Sequence, residues 1–315
     1  MLSDREEQLL QQISNLDIRI QQMKKIEEFP ENVRNRLQAL KKLQLEILDQ
    51  EADFHQKVFS LEVEYQERYA KMNETRRQIV TGSPLVSSTD RVATDDAADQ
   101  IAGIPEFWLN VFKMTPVLQT MIREADEEPL KKLIDVRSVV RNEPQPSFEL
   151  IFEFEPNDFF NDRLLKKKYL MTCIPNTEKP FSYNGFEIHD TVGHAIDWKD
   201  GVNLTKLTMT DESGRKHEVT TNSFFNFFDP KKFFETDSLL SIQFLETDFE
   251  IGYYIKEQVI PRAVYFFTGE ADNDLDSDSD SFDDASLGGA CKPVPDKEAT
   301  EKLTNSKEDI AEHDN

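Results

Sequence analysis

Carboxylates are the chemically capable side chains that recur with a pattern in this chain. Glu246, Asp248 and Glu250 alternate around Thr247 and Phe249, with Glu235 and Asp237 just upstream. Asp272, Asp274, Asp276, Asp278, Asp280, Asp283 and Asp284 form a second run. Acid pairs are plentiful in any acidic protein, so they give carboxylate catalysis no specific support; acids so distributed suit an anionic surface for a basic partner. The acids at 246–250 have a second reading, because carboxylates near a helix start also favour its dipole. Phe282 inside the aspartate run has two readings as well, a groove anchor or an ordinary tail residue.

Other chemistries find no matching pattern. The chain has no GxGxxG, no GxxxxGK[ST] and no GxSxG, so neither a phosphate-cradling loop nor a nucleophile elbow is expected. His189 and His194 stand five apart without nearby cysteines, a poor spacing for a metal, and no cofactor is expected. Cys173, in YLMTC, reads as a small core residue. With Cys291 it makes two cysteines, too few for a disulfide framework and suited to a reducing compartment. A non-enzyme follows from these absences.

The net charge is −24, from 61 acidic and 37 basic residues among 315. It is unevenly spread. Residues 1–80 hold 15 acids and 13 bases, 81–103 hold 4 and 1, 104–268 hold 27 and 19, and 269–315 hold 15 and 4. The last segment, without periodicity and with one Phe, reads as a disordered acidic tail. A basic partner is implied, and direct sequence-specific nucleic-acid binding is disfavoured. The charged start, MLSDREEQLL, has no apolar core of a signal peptide, and no stretch is long and apolar enough for a membrane span.

The elements that must carry these acids fall into four parts. Residues 3–28 read as a helix with Leu9, Ile13, Leu16, Ile20 and Met23 along a seam. Phe29-Pro30 interrupts it. A second helix, free of Gly and Pro from Val33 to Ile79, carries Val33, Leu37, Leu40, Ile47, Phe54, Val58, Leu61, Tyr65 and Met72, broadened by Leu43, Leu48, Phe59 and Tyr69. At 1.5 Å per residue it spans roughly 70 Å, too long for one small domain to cover, so a second copy in a two-fold dimer is expected to cover it. Leu37, Leu40, Leu43, Leu45 and Ile47 also match a leucine-rich export signal, and dimer packing is their competing use. Residues 81–103 read as a linker or accessory insertion.

Residues 104–268 read as an α+β domain. Helices are expected from Phe107 to near Pro116, over 117–125, 129–135 and 223–228, and over 239–259. Strands are expected over Leu133–Val140, Ser147–Glu155 and Lys167–Cys173, and as a hairpin of Leu204–Thr210 with Lys216–Thr221. In the tail, Ser277 and Ser281 each have an acid three residues on, which suits an acidophilic kinase.

Four spaced segments carry a family resemblance: IPEFWL at Ile104–Leu109, PNDFFNDRLLKKKY at Pro156–Tyr169, SFFNFFDP at Ser223–Pro230 and IPRAVYFFTG at Ile260–Gly269. With the order of long helix, α+β domain and acidic tail, the chain resembles the nucleosome assembly protein (NAP) family of histone chaperones over about residues 5–290. The last two motifs match its nucleosome assembly protein branch rather than its SET branch. The resemblance implies a homodimer through antiparallel long helices, each bearing an α+β domain in an earmuff shape. It implies ATP-independent binding of core histones, nucleosome assembly and disassembly, and shuttling between nucleus and cytoplasm. Trp108, Phe224, Phe225, Phe227 and Phe228 then read as core packing. The tail departs from the family's glutamate-rich pattern, being Asp/Ser-rich and interrupted by Lys292, Lys297, Lys302 and Lys307. The 204–221 hairpin is shorter and less basic than in relatives that use it for import. The alternatives are a SET-type adaptor or phosphatase regulator, and a structural dimer whose tail confers solubility.

Overall fold

The computed structural model describes residues 4–83, 102–176, 180, 183–210, 215–229 and 239–271. Two helices come first, α1 (Asp4–Glu27) and α2 (Glu31–Thr81), broken at Phe29-Pro30 as expected. Pro30 occupies the N-cap of α2, where its missing N–H costs nothing. Gly82, at φ 70°, ends the helix in the left-handed region, and its N–H bonds back to Ile79 O. Any Cβ there would meet the backbone of Ala102 and Gly103, so the left-handed turn also lets the chain re-enter close to its exit.

Short helices α3 (Phe107–Lys113), α4 (Pro116–Gln119) and α5 (Glu124–Leu130) lead into a four-stranded antiparallel meander. Its strands are β1 (Leu133–Arg141), β2 (Ser147–Phe154), β3 (Leu164–Thr172) and β4 (Glu187–Val192). The hairpin β5 (Lys206–Thr210) with β6 (Lys216–Thr220) forms a separate two-stranded sheet. A 3₁₀ turn (Phe224–Phe228), α6 (Leu239–Tyr254), a π turn (Ile255–Val259) and α7 (Ala263–Thr268) complete the domain.

Several expected boundaries move. A helix at 117–125 becomes the single turn α4, and the one at 129–135 is α5, shifted upstream so that β1 can start at Leu133. β3 begins three residues before Lys167. The strand β4 was not anticipated: EIHDTV is polar because it is a sheet edge with most side chains partly in solvent. The 239–259 helix closes with a π turn rather than α geometry.

The core is aromatic. Phe152 lies edge-on to Phe228 at 5.0 Å, and Phe148 stacks on Tyr169 at 4.7 Å. Trp108, Phe224, Phe225, Phe227 and Phe228 are all buried, as read from the motifs. The 3₁₀ turn is set by Ser223, whose Oγ accepts from Phe225 N and donates to Asp126 Oδ1. Asp126 Oδ2 accepts from Phe224 N and Arg123 N, so a fully buried carboxylate is satisfied while it joins the start of α5 to the phenylalanine turn. Cys173 is buried as expected, its Sγ 3.3 Å from Tyr183 Oη; burial pushes its thiol pKa up.

The domain sits on α2 through charge as well as apolar contact. Leu48, Ala52, Phe59 and Val80 bury one face of the helix, so Leu48 and Phe59 leave the stripe expected to meet a second copy and pack on the chain's own domain. Arg76 donates to Val136 O and Ile260 O, and Val140 N donates to Gln66 Oε1. These α2 side chains satisfy the outer edge of β1. Lys256, buried, pairs with Glu62 of α2 and with Glu257.

Candidate functional site

β3 carries a charge into the core. Its burial alternates strictly, placing Leu165, Lys167, Tyr169 and Met171 inward. Lys167 is therefore a lysine on the core face. Its Nζ donates to Phe227 O at 2.6 Å, lies 4.0 Å from the Phe227 ring centre, and pairs with Asp248. Burial lowers the Lys167 pKa and raises that of Asp248, and their mutual attraction opposes both shifts. Tyr169 Oη donates to the Asp248 carbonyl at 3.1 Å. Gly252 makes this approach possible, since a Cβ there would stand 2.3 Å from the Tyr169 ring.

Asp248 is thus committed to holding α6 on β3, and its grouping with Glu246 and Glu250 as one acidic strip is corrected. The alternation counted along the sequence is a strand period. On a helix, residues two apart point about 200° away from each other, whereas Glu246 and Glu250 are one turn apart on the same side. Both of these glutamates are exposed.

Outside α6 the carboxylate face continues onto β4. Glu187 is exposed there, and its pKa is raised first by partial burial and then by the neighbouring charge of Glu246. Sequence reading missed Glu187 because it missed β4. Among the described residues, no lysine or arginine lies within ion-pair distance of Glu187, Glu246 or Glu250.

The remaining expected site residues separate into two groups. Glu235, Asp237, the aspartates from Asp272 to Asp284, and Ser277 and Ser281 lie outside the described residues. On α2, Leu40, Leu43, Ile47, Phe54, Val58, Leu61 and Tyr65 are exposed, whereas Val33, Leu37 and Leu45 are half-buried. His194 Nε2 lies 3.1 Å from Asp162 Oδ1, while His189 is exposed on β4.

The arrangement is an exposed carboxylate face on a scaffold fixed by buried ion pairs. The family model for nucleosome assembly protein (NAP) matches residues 35–270. Human nucleosome assembly protein 1-like 4 is 36% identical over 294 residues, covering 80% of this chain and 77% of the relative. Nucleosome assembly protein 1-like 1-A of Xenopus laevis is 37% identical over 288 residues, covering 81% and 74%. Among solved structures, nucleosome assembly protein 1 from Plasmodium knowlesi superposes with a TM-score of 0.53 at 29% identity, covering 77% of this chain and 99% of that one. The α+β domain on a long helix is therefore a NAP fold, and the chain belongs to the nucleosome assembly protein family.

Proposed function

We propose that this protein is an ATP-independent histone chaperone that binds core histones and promotes nucleosome assembly and disassembly. The observation that carries this reading is the outward face of α6 and β4, where Glu187, Glu246 and Glu250 have no cationic partner among the described residues. Core histones present Lys- and Arg-rich surfaces that such carboxylates attract and screen. Each exposed pair contributes only ~0–1 kcal/mol, so affinity is built from many. Glu235, Asp237 and the aspartates from Asp272 to Asp284 supply further negative charge for the same partner, the aspartates from the most acidic segment of the chain.

The reading requires no cofactor and no catalytic step. It includes self-association: α2 leaves Leu40, Ile47, Phe54, Val58, Leu61 and Tyr65 exposed, a line of apolar groups that a second copy would cover. Nuclear and cytoplasmic shuttling through Leu37, Leu40, Leu43, Leu45 and Ile47 belongs to it too. Dimer formation would mask three of those five, so export would compete with assembly. Phosphorylation of Ser277 and Ser281 would add roughly −1.5 to −2 charges each.

Titration with purified histone dimers at physiological salt tests the reading, together with suppression of histone–DNA aggregation. Binding that weakens with salt is expected. Absence of both activities refutes it.

A further inference from the structure

One face of the four-stranded sheet is positive in a chain that is otherwise acidic. Cross-strand partners share a face, so the register groups Asp135, Arg137 and Arg141 of β1 with Glu149 and Glu153 of β2 and with Lys166 and Lys168 of β3. This face is the reverse of the one that Phe148, Phe152 and Tyr169 turn to the core. Arg163, just before β3, reaches it by donating to Glu153 at 3.0 Å.

The charges on this face are layered. The side chains of Asp135, Glu153 and Glu149 are only 2%, 9% and 17% exposed, whereas those of Arg137, Arg141 and Arg163 are 30%, 50% and 69% exposed. Lys166 and Lys168 are half-buried, and neither lies within ion-pair distance of an acid among the described residues. Five cations thus stand over three sunken acids, in a chain of net charge −24. On β4, Asp190 bounds the band, and its Oδ1 accepts from Thr191 N. α6, with Glu246 and Glu250, packs on the other face through Phe249, whose ring lies 5.9 Å from those of Phe148 and Tyr169.

We propose that this band docks the aspartate run of the chain's own tail, residues 272–284. Sign is one match and period is the second. Asp272, Asp274, Asp276, Asp278 and Asp280 alternate, so an extended segment would line five carboxylates along one side at intervals of about 7 Å. Lys166 and Lys168 stand two residues apart on β3, the same interval, and Arg137 and Arg141 stand at twice that interval on β1. Reach is the third match. Ala271 is the last described residue, and its N–H donates to Tyr265 O of α7. Phe267 of α7 stacks on Phe107 of α3, and the adjoining Trp108 donates its Nε1–H to Ile134 O of β1. The run therefore leaves the domain close to β1. Its thirteen residues extend over up to about 45 Å, against a four-stranded sheet about 15 Å wide.

A nucleic-acid backbone has the same sign, but it would approach against the charge of the whole chain. The tail is already tethered, at an effective concentration of about millimolar. Each contact is weak and screened, so docking is a salt-labile hold that a more basic ligand of the tail displaces. Docking uses neither Glu187 nor α6, so it stands or falls apart from histone binding at that face.

Carbodiimide coupling of carboxylates to amines in the full chain, read by mass spectrometry, tests this. At low salt, Lys166 and Lys168 are expected to link to the aspartates of 272–284 roughly fivefold more than the exposed Lys71 of α2 and Lys206 of β5 do. The preference is expected to vanish at about 1 M salt, where the Debye length is about 3 Å. Equal linkage to all four lysines overturns the docking. Asp276→Ser with Ser277→Asp, and Asp278→Ser with Ser279→Asp, keep every charge and break the alternation. Linkage to Lys166 and Lys168 is then expected to fall about twofold or more, and an unchanged yield overturns the strand-like fit. Links that persist beside an added DNA duplex support the proposal. Loss of the links to the duplex, with duplex binding abolished by Lys166→Gln and Lys168→Gln together, gives the band to nucleic acid and overturns it.

Discussion

Two regions of the domain put the same carboxyl group to opposite uses. Where β1 and β2 meet α2, Asp135 and Glu153 are enclosed by arginines. Arg137 donates to both, Arg77 and Arg163 donate to Glu153, and Arg76 lies 3.6 Å from Asp135. On the outer side of α6 and β4, Glu187, Glu246 and Glu250 have no such company among the described residues. Four arginines turn the first pair into a structural joint between sheet and helix. Their absence leaves the second group as uncompensated negative charge, free to meet a cationic partner. Sequence composition cannot separate the two, since each is simply an acid in an acidic protein. Neighbours in space decide.

The largest effect is expected at Lys167. Lys167→Ala strands the Asp248 carboxylate against the core, and a loss of about 3–5 kcal/mol is expected in urea unfolding. Replacing both partners, as Lys167→Met with Asp248→Leu, is expected to recover most of that loss. If the double variant is as unstable as the single one, the pair is not what holds α6.

A smaller effect is expected at the arginine-enclosed acid. Burial pushes the Glu153 pKa up, but the hydrogen bonds from Arg77, Arg137 and Arg163 outweigh it and hold the carboxyl below its ordinary value. Its contribution is therefore complete above the unfolded value of about 4.3 and is lost as pH falls through the lower folded value. Glu153→Gln should cost about 2 kcal/mol at pH 7, and the difference from wild type should shrink toward pH 3. A difference that stays constant across this range contradicts the assignment.

The outward acids should show the reverse balance. Combined Glu187→Gln, Glu246→Gln and Glu250→Gln should leave stability within about 0.5 kcal/mol while weakening histone binding roughly tenfold at low salt. The smallest effect concerns Glu187 alone. Its raised pKa means it is protonated earlier on acidification than an ordinary glutamate, so binding should begin to weaken at a higher pH than an ordinary glutamate would give, and Glu187→Gln should flatten that early part of the pH profile.

Much of this architecture was legible because it rests on local signals. Proline at position 30 and the long absence of Gly and Pro marked α1 and α2, and alternation at Phe148, Leu150, Phe152 and Phe154 marked β2. The motif phenylalanines were correctly read as core. The site was less legible because its logic is non-local. Lys167 carried a usable signal, since it occupies an inward position of an alternating strand, but its partner is 81 residues away. Asp248 was grouped with its neighbours by a strand period inside a helix. Glu187 was hidden with β4, an edge strand whose polarity masks its pattern. Likewise the α2 stripe merged two faces, and only burial divides Leu48 and Phe59 from Phe54 and Leu61.

Histone binding is proposed to rest on the unpaired outward carboxylates of α6 and β4. The most direct measurement is an equilibrium titration of wild type and the Glu187/Glu246/Glu250 triple glutamine variant with histone dimers across a salt series, with melting temperatures taken in parallel. Salt-sensitive binding by wild type, about tenfold weaker and less salt-sensitive binding by the variant, and equal melting temperatures are expected. Equal affinity of the two proteins at every salt concentration would contradict the proposal.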